Sequence, residues 1–190
     1  MTKTGVQKGL ILILLAAAIA VAVYFGYLNR KPSSSEDPVT VTEVQDILLL
    51  DLENHYPPTA RETVMNFCRI YKALYGETAT ADQIAAMGDQ LLVLYDQELI
   101  DHQFDYQGSL LQEVNRKKAD GYTITNYHVQ SAEEIETGYV EGHDISYVKC
   151  MITMRKGSQL NATNYLFVLR LEESSGRWKI YGWTPASDDA

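Results

Sequence analysis

Residues 9–28 read GLILILLAAAIAVAVYFGYL, twenty positions without a charged or strongly polar side chain. No other feature restricts so sharply what the chain can fold into. As a helix rising about 1.5 Å per residue, this stretch reaches about 30 Å, the thickness of a bilayer's hydrocarbon core. A helix buried in a water-soluble core would show a polar stripe over that length, and this one shows none. Tyr24 and Tyr27 stand where an interfacial aromatic belt belongs, with Arg30 and Lys31 just beyond. The rival reading is a cleaved signal peptide that begins with Lys3 and Lys8 and offers Ala18, Ala20 and Ala22 as loose cleavage sites. The apolar stretch runs on past those alanines through Phe25, beyond the usual span of about 7–15 residues for a signal's apolar region. The expectation is therefore an uncleaved transmembrane anchor.

Two basic residues flank the anchor on each side, so their count alone does not orient it. The free amino terminus adds positive charge to the short tail, while Glu36 and Asp37 offset it on the far side. This places the carboxyl-terminal part outside the cytoplasm, on a cell membrane crossed once. The expected organisation is a tail at 1–8, the anchor at 9–28, a linker at 29–40 that includes KPSSSEDP, a folded domain at 41–186 and a tail at 187–190. The lipid bilayer is the partner expected for residues 9–28.

The chain has 16 Lys and Arg against 25 Asp and Glu. Beyond Lys31, twelve bases face all 25 acids. So acidic a domain lacks the basic stripe that displaces counterions from nucleic-acid phosphates, and it would be repelled by anionic headgroups. Nucleic acid is excluded as a partner.

Helical periodicity comes first in the domain. Thr59-Ala-Arg-Glu62 and Thr80-Ala-Asp-Gln83 have the form of capping boxes. Behind the first, Val64, Phe67, Cys68, Tyr71, Leu74 and Tyr75 share a face; behind the second, Ile84, Met87, Leu91, Leu94 and Tyr95 do. A helix over 43–54 and another starting at Ser109 and running out at Lys118 complete the set. From Tyr122 the apolar period changes to two, which predicts strands over 122–130, 145–155, 160–173 and 178–184. Residues 131–144, rich in acids, read as a loop or an irregular edge.

A hairpin closed at Lys156 and Gln159 sets Cys150 opposite Tyr165, Ile152 opposite Thr163 and Val148 opposite Phe167. Ser146, Val148, Cys150, Ile152 and Met154 then share the buried face with Thr163, Tyr165, Phe167, Leu169 and Leu171. In the last strand, Trp178 and Ile180 join them unless a bulge turns Tyr181 and Trp183 inward. The fold class is α+β: a transmembrane helix, then helices packed on a curved antiparallel sheet.

Catalytic signatures are sparse. Cys68 and Cys150 sit on facing layers whose spacing of about 8–10 Å fits a disulfide poorly, which favours two buried thiols. No C-x-x-C, H-E-x-x-H, G-x-S-x-G, Walker loop or G-x-G-x-x-G occurs, and neither a metal nor any other cofactor is expected. The cluster from Asp96 to Asp105, with Glu98 and His102 four apart, reads as a solvated helix end.

The helical run over 60–118 and the meander ending in RWKIYGWTP resemble the nuclear-transport-factor-like superfamily over residues 42–185. That resemblance implies a cone-shaped sheet wrapped around helices, often with a pocket between them, where a His, Asp or Tyr transfers protons in the isomerases and dehydratases. With the LDLENHYPPTARE stretch, the whole chain also resembles a bacterial single-pass membrane family of unknown function. Candidate pocket residues are Asn126, His128, Ser146, Thr163 and Tyr165, with none assigned as catalytic, because no inward carboxylate completes an acid–base pair. The expected function is a non-catalytic, extracytoplasmic binding or interaction module whose partner is an envelope protein or a small ligand. A small-molecule enzyme using the cone, or a structural component of an envelope assembly, is the alternative.

Overall fold

The computed structural model describes residues 42–76 and 79–186. The expected anchor, linker and both tails lie outside the described residues. Among the described residues, no helix is long and apolar enough to cross a membrane.

Helices α1 (Glu43–Leu48), α2 (Ala60–Leu74), α3 (Ala81–Leu94), α4 (Gln97–Asp101) and α5 (Tyr106–Ala119) come first. Strands β1 (Tyr122–Val129), β2 (Glu136–Val140), β3 (His143–Lys156), β4 (Gln159–Glu172) and β5 (Arg177–Pro185) follow. The result is the α+β layer: helices against one five-stranded antiparallel sheet.

The helix starts follow their local chemistry. Thr80 and Gln83 close a reciprocal capping box at the head of α3. At α2, the Thr59 hydroxyl accepts from the Glu62 N–H at 3.2 Å and donates to Glu62 Oε2 at 2.9 Å, so Glu62 answers the hydroxyl rather than the backbone. Helix α1 stops at Leu48 rather than at 54. There the Asp51 carboxylate accepts from the Asn54 N–H at 3.1 Å, a local turn that competes with helix. Helix α5 begins before Ser109, capped by Asp105. Where α3 meets α5, a Cβ at Gly88 would lie 2.8 Å from Leu110 Cδ2, so a larger residue there would require Leu110 and Gln107 to move aside.

The sheet runs β1-β3-β4-β5, with β1 and β2 both paired to the same edge of the long β3. The β3–β4 hairpin closes at Lys156 and Gln159, with Gly157 at φ 59 in its turn, and pairs Cys150 with Tyr165, Ile152 with Thr163 and Val148 with Phe167 as the sequence predicts. Within 131–144 the chain forms a 3-10 turn at Ala132–Glu134 and then the exposed strand β2. Glu141 and Gly142, at φ 51 and 87, make the tight turn back into β3.

Two bulges reset the faces. In β1, Ile124 pairs with Met154 but Asn126 pairs with Thr153, leaving Thr125 as the extra residue. In β5, Ile180 pairs with Leu169 and Gly182 with Val168, leaving Tyr181 extra. Trp178, Ile180 and Trp183 therefore all pack against the core, while Tyr181 turns outward to Glu98 and Arg170. The core lies between α2, α3 and the sheet, where Phe67, Leu74, Leu91, Val148, Phe167 and Ile180 are buried.

Candidate functional site

The five expected pocket residues do not form one site. The Thr125 bulge rotates the rest of β1 by one position, so Tyr127 and Val129 turn to the core and Asn126 and His128 are exposed on the opposite face. Ser146 is buried at 1% exposure, with its hydroxyl unpartnered. Thr163 and Tyr165 are half-buried on the core face, as their register predicts.

The aromatic core between α2 and the sheet is nearly filled, and a hollow of about 380 Å³ lies at its edge, between Lys118 of α5 and Tyr122 and Arg155 of the sheet. A void of about 110 Å³ remains, bordered by Phe67, Tyr71, Tyr75, Glu113, Tyr165, Phe167 and Trp183. Phe67 packs edge-on to Phe167 at 5.1 Å and lies 5.1 Å from Trp183, which stacks on Phe167 at 5.7 Å. A chain of polar groups runs there from Tyr71 Oη to Tyr75 Oη at 3.2 Å, with Tyr75 donating to Glu113 Oε1 at 2.9 Å. Burial pushes the Tyr71 phenol up to about 12 and raises Tyr75 as well, so both stay protonated and act as hydrogen-bond donors. Pockets for organic ligands usually hold about 300–1,000 Å³, far more than this void.

Among the described residues, no helix covers the opposite face of the sheet. The alternation that buries Cys150 turns Lys149 and Met151 outward, and β4 and β5 add Asn164, Leu166 and Thr184 beside His128 from β1. Two hollows of about 540 and 550 Å³ adjoin there and share Gln130, Glu134, Lys149 and Leu166 in their walls. Their lining mixes one cation, two carboxylates (Glu134 and Glu136), amides, His128 and the side chains of Met151 and Leu166. Apolar side chains are thus set among polar groups on this face. Of the expected residues, His128 and Tyr165 border it. Lys149, Met151, Asn164 and Leu166 were not singled out in the sequence, although strict period-two alternation placed Lys149 on this face.

One end of the open face is clamped. Arg170 donates to Glu98 Oε2 at 2.7 Å, lies 3.7 Å from Asp96 Oδ1, and stacks its guanidinium 3.6 Å from the centre of the Tyr181 ring. Tyr181 donates to Glu98 Oε1 at 3.1 Å. The Arg170 hydrogen bond, with that of Tyr181 behind it, holds the Glu98 carboxyl below its ordinary range. At the β5 edge, the Asp96 N–H donates to the Ile180 carbonyl at 2.9 Å, so the chain before α4 covers this edge at Ile180. The Asp96–Asp105 cluster thus ties α4 to the sheet. Among the described residues, no group of three His, Cys, Asp or Glu is placed to hold a metal.

Cys68 and Cys150 are free and buried. The layer spacing does not keep them apart, however: their sulfurs lie 3.3 Å from each other, because α2 crosses β3 directly above Cys150.

The chain belongs to the family described as a domain of unknown function (DUF6715), which matches residues 1–183. No curated protein matches it. Among solved structures, it is similar to the intermembrane space region of the chloroplast protein ARC6 at 11% identity and a TM-score of 0.34, over 70% of this chain and 100% of that one.

Proposed function

We propose that the chain is a membrane-tethered, extracytoplasmic module that binds another protein of the cell envelope through the open face of its sheet and catalyses no reaction. One observation carries this reading, the division of space: about 110 Å³ remains inside, whereas two joined hollows of about 540 and 550 Å³ lie on the open face. The filled interior counts against an isomerase-like or dehydratase-like enzyme, which needs room for substrate beside its proton-transfer groups. Residues 9–28 supply the tether, and a linker of twelve residues keeps the domain close to the bilayer.

Kinship with the nuclear-transport-factor-like cone is part of the proposal. Helices that precede a long-stranded meander support it, as do bulges at Thr125 and Tyr181 that add twist to the outer strands. In this reading the cone's interior serves as core, and recognition moves to the outside of the sheet.

Site-specific photocrosslinking in intact cells tests the surface. A photoreactive residue at His128 or Asn164, both exposed on the open face, is expected to yield a discrete adduct with an envelope protein. The same residue at Gln112 or Asn115, exposed on α5, is expected to yield none. Adducts from α5 alone, or from neither surface, would refute the proposal.

A further inference from the structure

Cys68 and Cys150 lie 82 residues apart in sequence, on α2 and on the central strand β3, yet their sulfurs are in contact at 3.3 Å. Cys150 Sγ also lies 3.8 Å from the Met151 carbonyl. Bonding distance for a disulfide is about 2.0 Å, so the sulfurs have about 1.3 Å to close. Chance packing of two small apolar side chains has no need to direct both sulfurs at each other. Both side chains are buried on the core side of the sheet, Cys68 and Cys150 alike at 2% exposure, so a reagent reaches them when the contact between α2 and β3 opens locally.

We infer that Cys68 and Cys150 are a dithiol that oxidises to an intramolecular disulfide, bolting helix α2 to the strand beneath the open face. The oxidant is a disulfide compound, either a small one or the active disulfide of an oxidoreductase. The Cys150 thiolate attacks one sulfur of that compound, forming a mixed disulfide and expelling the first thiol. The Cys68 thiolate then attacks Cys150 Sγ and expels the second. The two chain thiols lose two protons and two electrons, and the oxidant's disulfide is reduced to two thiols. Cys150 is suited to go first because its hydrogen bond with Cys68 lowers the pKa of its thiol, while that same bond and burial raise that of the Cys68 thiol. A domain held outside the cytoplasm meets such oxidants and keeps the bond. The inference does not depend on which surface binds a partner.

The test uses the full chain in detergent micelles, reduced and then treated with oxidised glutathione. Before treatment, the denatured chain is expected to accept a maleimide at both cysteines. After treatment it is expected to accept none, to carry no glutathione, to run as a monomer without reductant, and to give one proteolytic fragment joined through Cys68 and Cys150. Because the bond closes a long loop, the melting temperature is expected to rise by roughly 5–15 °C and to fall back on adding reductant. In Cys68→Ala, treatment is expected to give no such rise. Should that variant not fold, the reversible rise in the unsubstituted chain remains the readout. Two maleimides after oxidation, glutathione retained on both cysteines, or disulfide-linked dimers would each overturn the inference.

Discussion

Gln130 completes the sheet where β1 has ended and β2 has not begun. Its N–H donates to the Lys149 carbonyl at 3.0 Å, and its side-chain Oε1 accepts from the Lys149 N–H at 2.8 Å. Its Nε2 donates to the Glu134 carbonyl at 2.9 Å, and its own carbonyl accepts from Arg61 Nε of α2 at 2.9 Å. One side chain thus joins the 3-10 turn to β3 just past the end of β1, and forms part of the wall of the open-face hollows.

Replacing Gln130 with alanine leaves the Lys149 N–H without its acceptor and frees the 3-10 turn. The expected cost is about 1–2 kcal/mol in urea unfolding. Faster amide exchange is expected at Lys149 and along β2, with little change in β4.

Phe167 is fully buried and meets both Phe67 and Trp183. Phe167→Ala joins a new hole to the void already present, with an expected loss of about 3–5 kcal/mol in equilibrium unfolding. Asn164→Ala, exposed on the other face of the same strand, is expected to change stability by less than about 0.5 kcal/mol.

Glu98 gives a pH-dependent handle on the clamp. Its carboxyl sits below its ordinary value of 4.5 through the hydrogen bond from Arg170 and then that from Tyr181. A depressed carboxylate adds stability above its unfolded value and loses it as pH falls through the folded one. Glu98→Gln is therefore expected to melt below the unsubstituted chain at neutral pH, with the gap closing as pH drops below about 4.5. A gap that stays constant down to about pH 3, or widens in acid, would show that the clamp is not held by this ionised group.

The membrane tether is tested by fractionation and protease access. The full chain is expected in the membrane fraction, resistant to alkaline carbonate and released by detergent, with its domain cleaved by protease added outside the cytoplasm. A chain lacking residues 1–28 is expected to be free of the membrane. Recovery of the intact chain without detergent would remove the basis of the tether.

Much of the fold was legible because it rests on local rules. The Lys156–Gln159 turn sets the β3–β4 register by counting, and the apolar faces of α2 and α3 follow from spacing. The site was less legible for a definite reason. A bulge at Thr125 answers to sheet twist rather than to any residue type, and one extra residue moves His128 and Asn126 from the core face to the open one. Strand β2 lacks a buried face, so its five exposed residues carry no alternation to read. The meeting of Cys68 with Cys150 depends on where a helix crosses a strand, which spacing along the chain does not state.

The working surface is tested most directly by placing Leu166→Glu in the chain that carries the photocrosslinker at Asn164. Leu166 is half-buried at the centre of the hollows and lies on the face away from the core, so a folded variant is expected, with a melting temperature within a few degrees of the parent. The account predicts loss of the envelope-protein adduct from this folded, membrane-bound variant. An adduct undiminished in yield would contradict it.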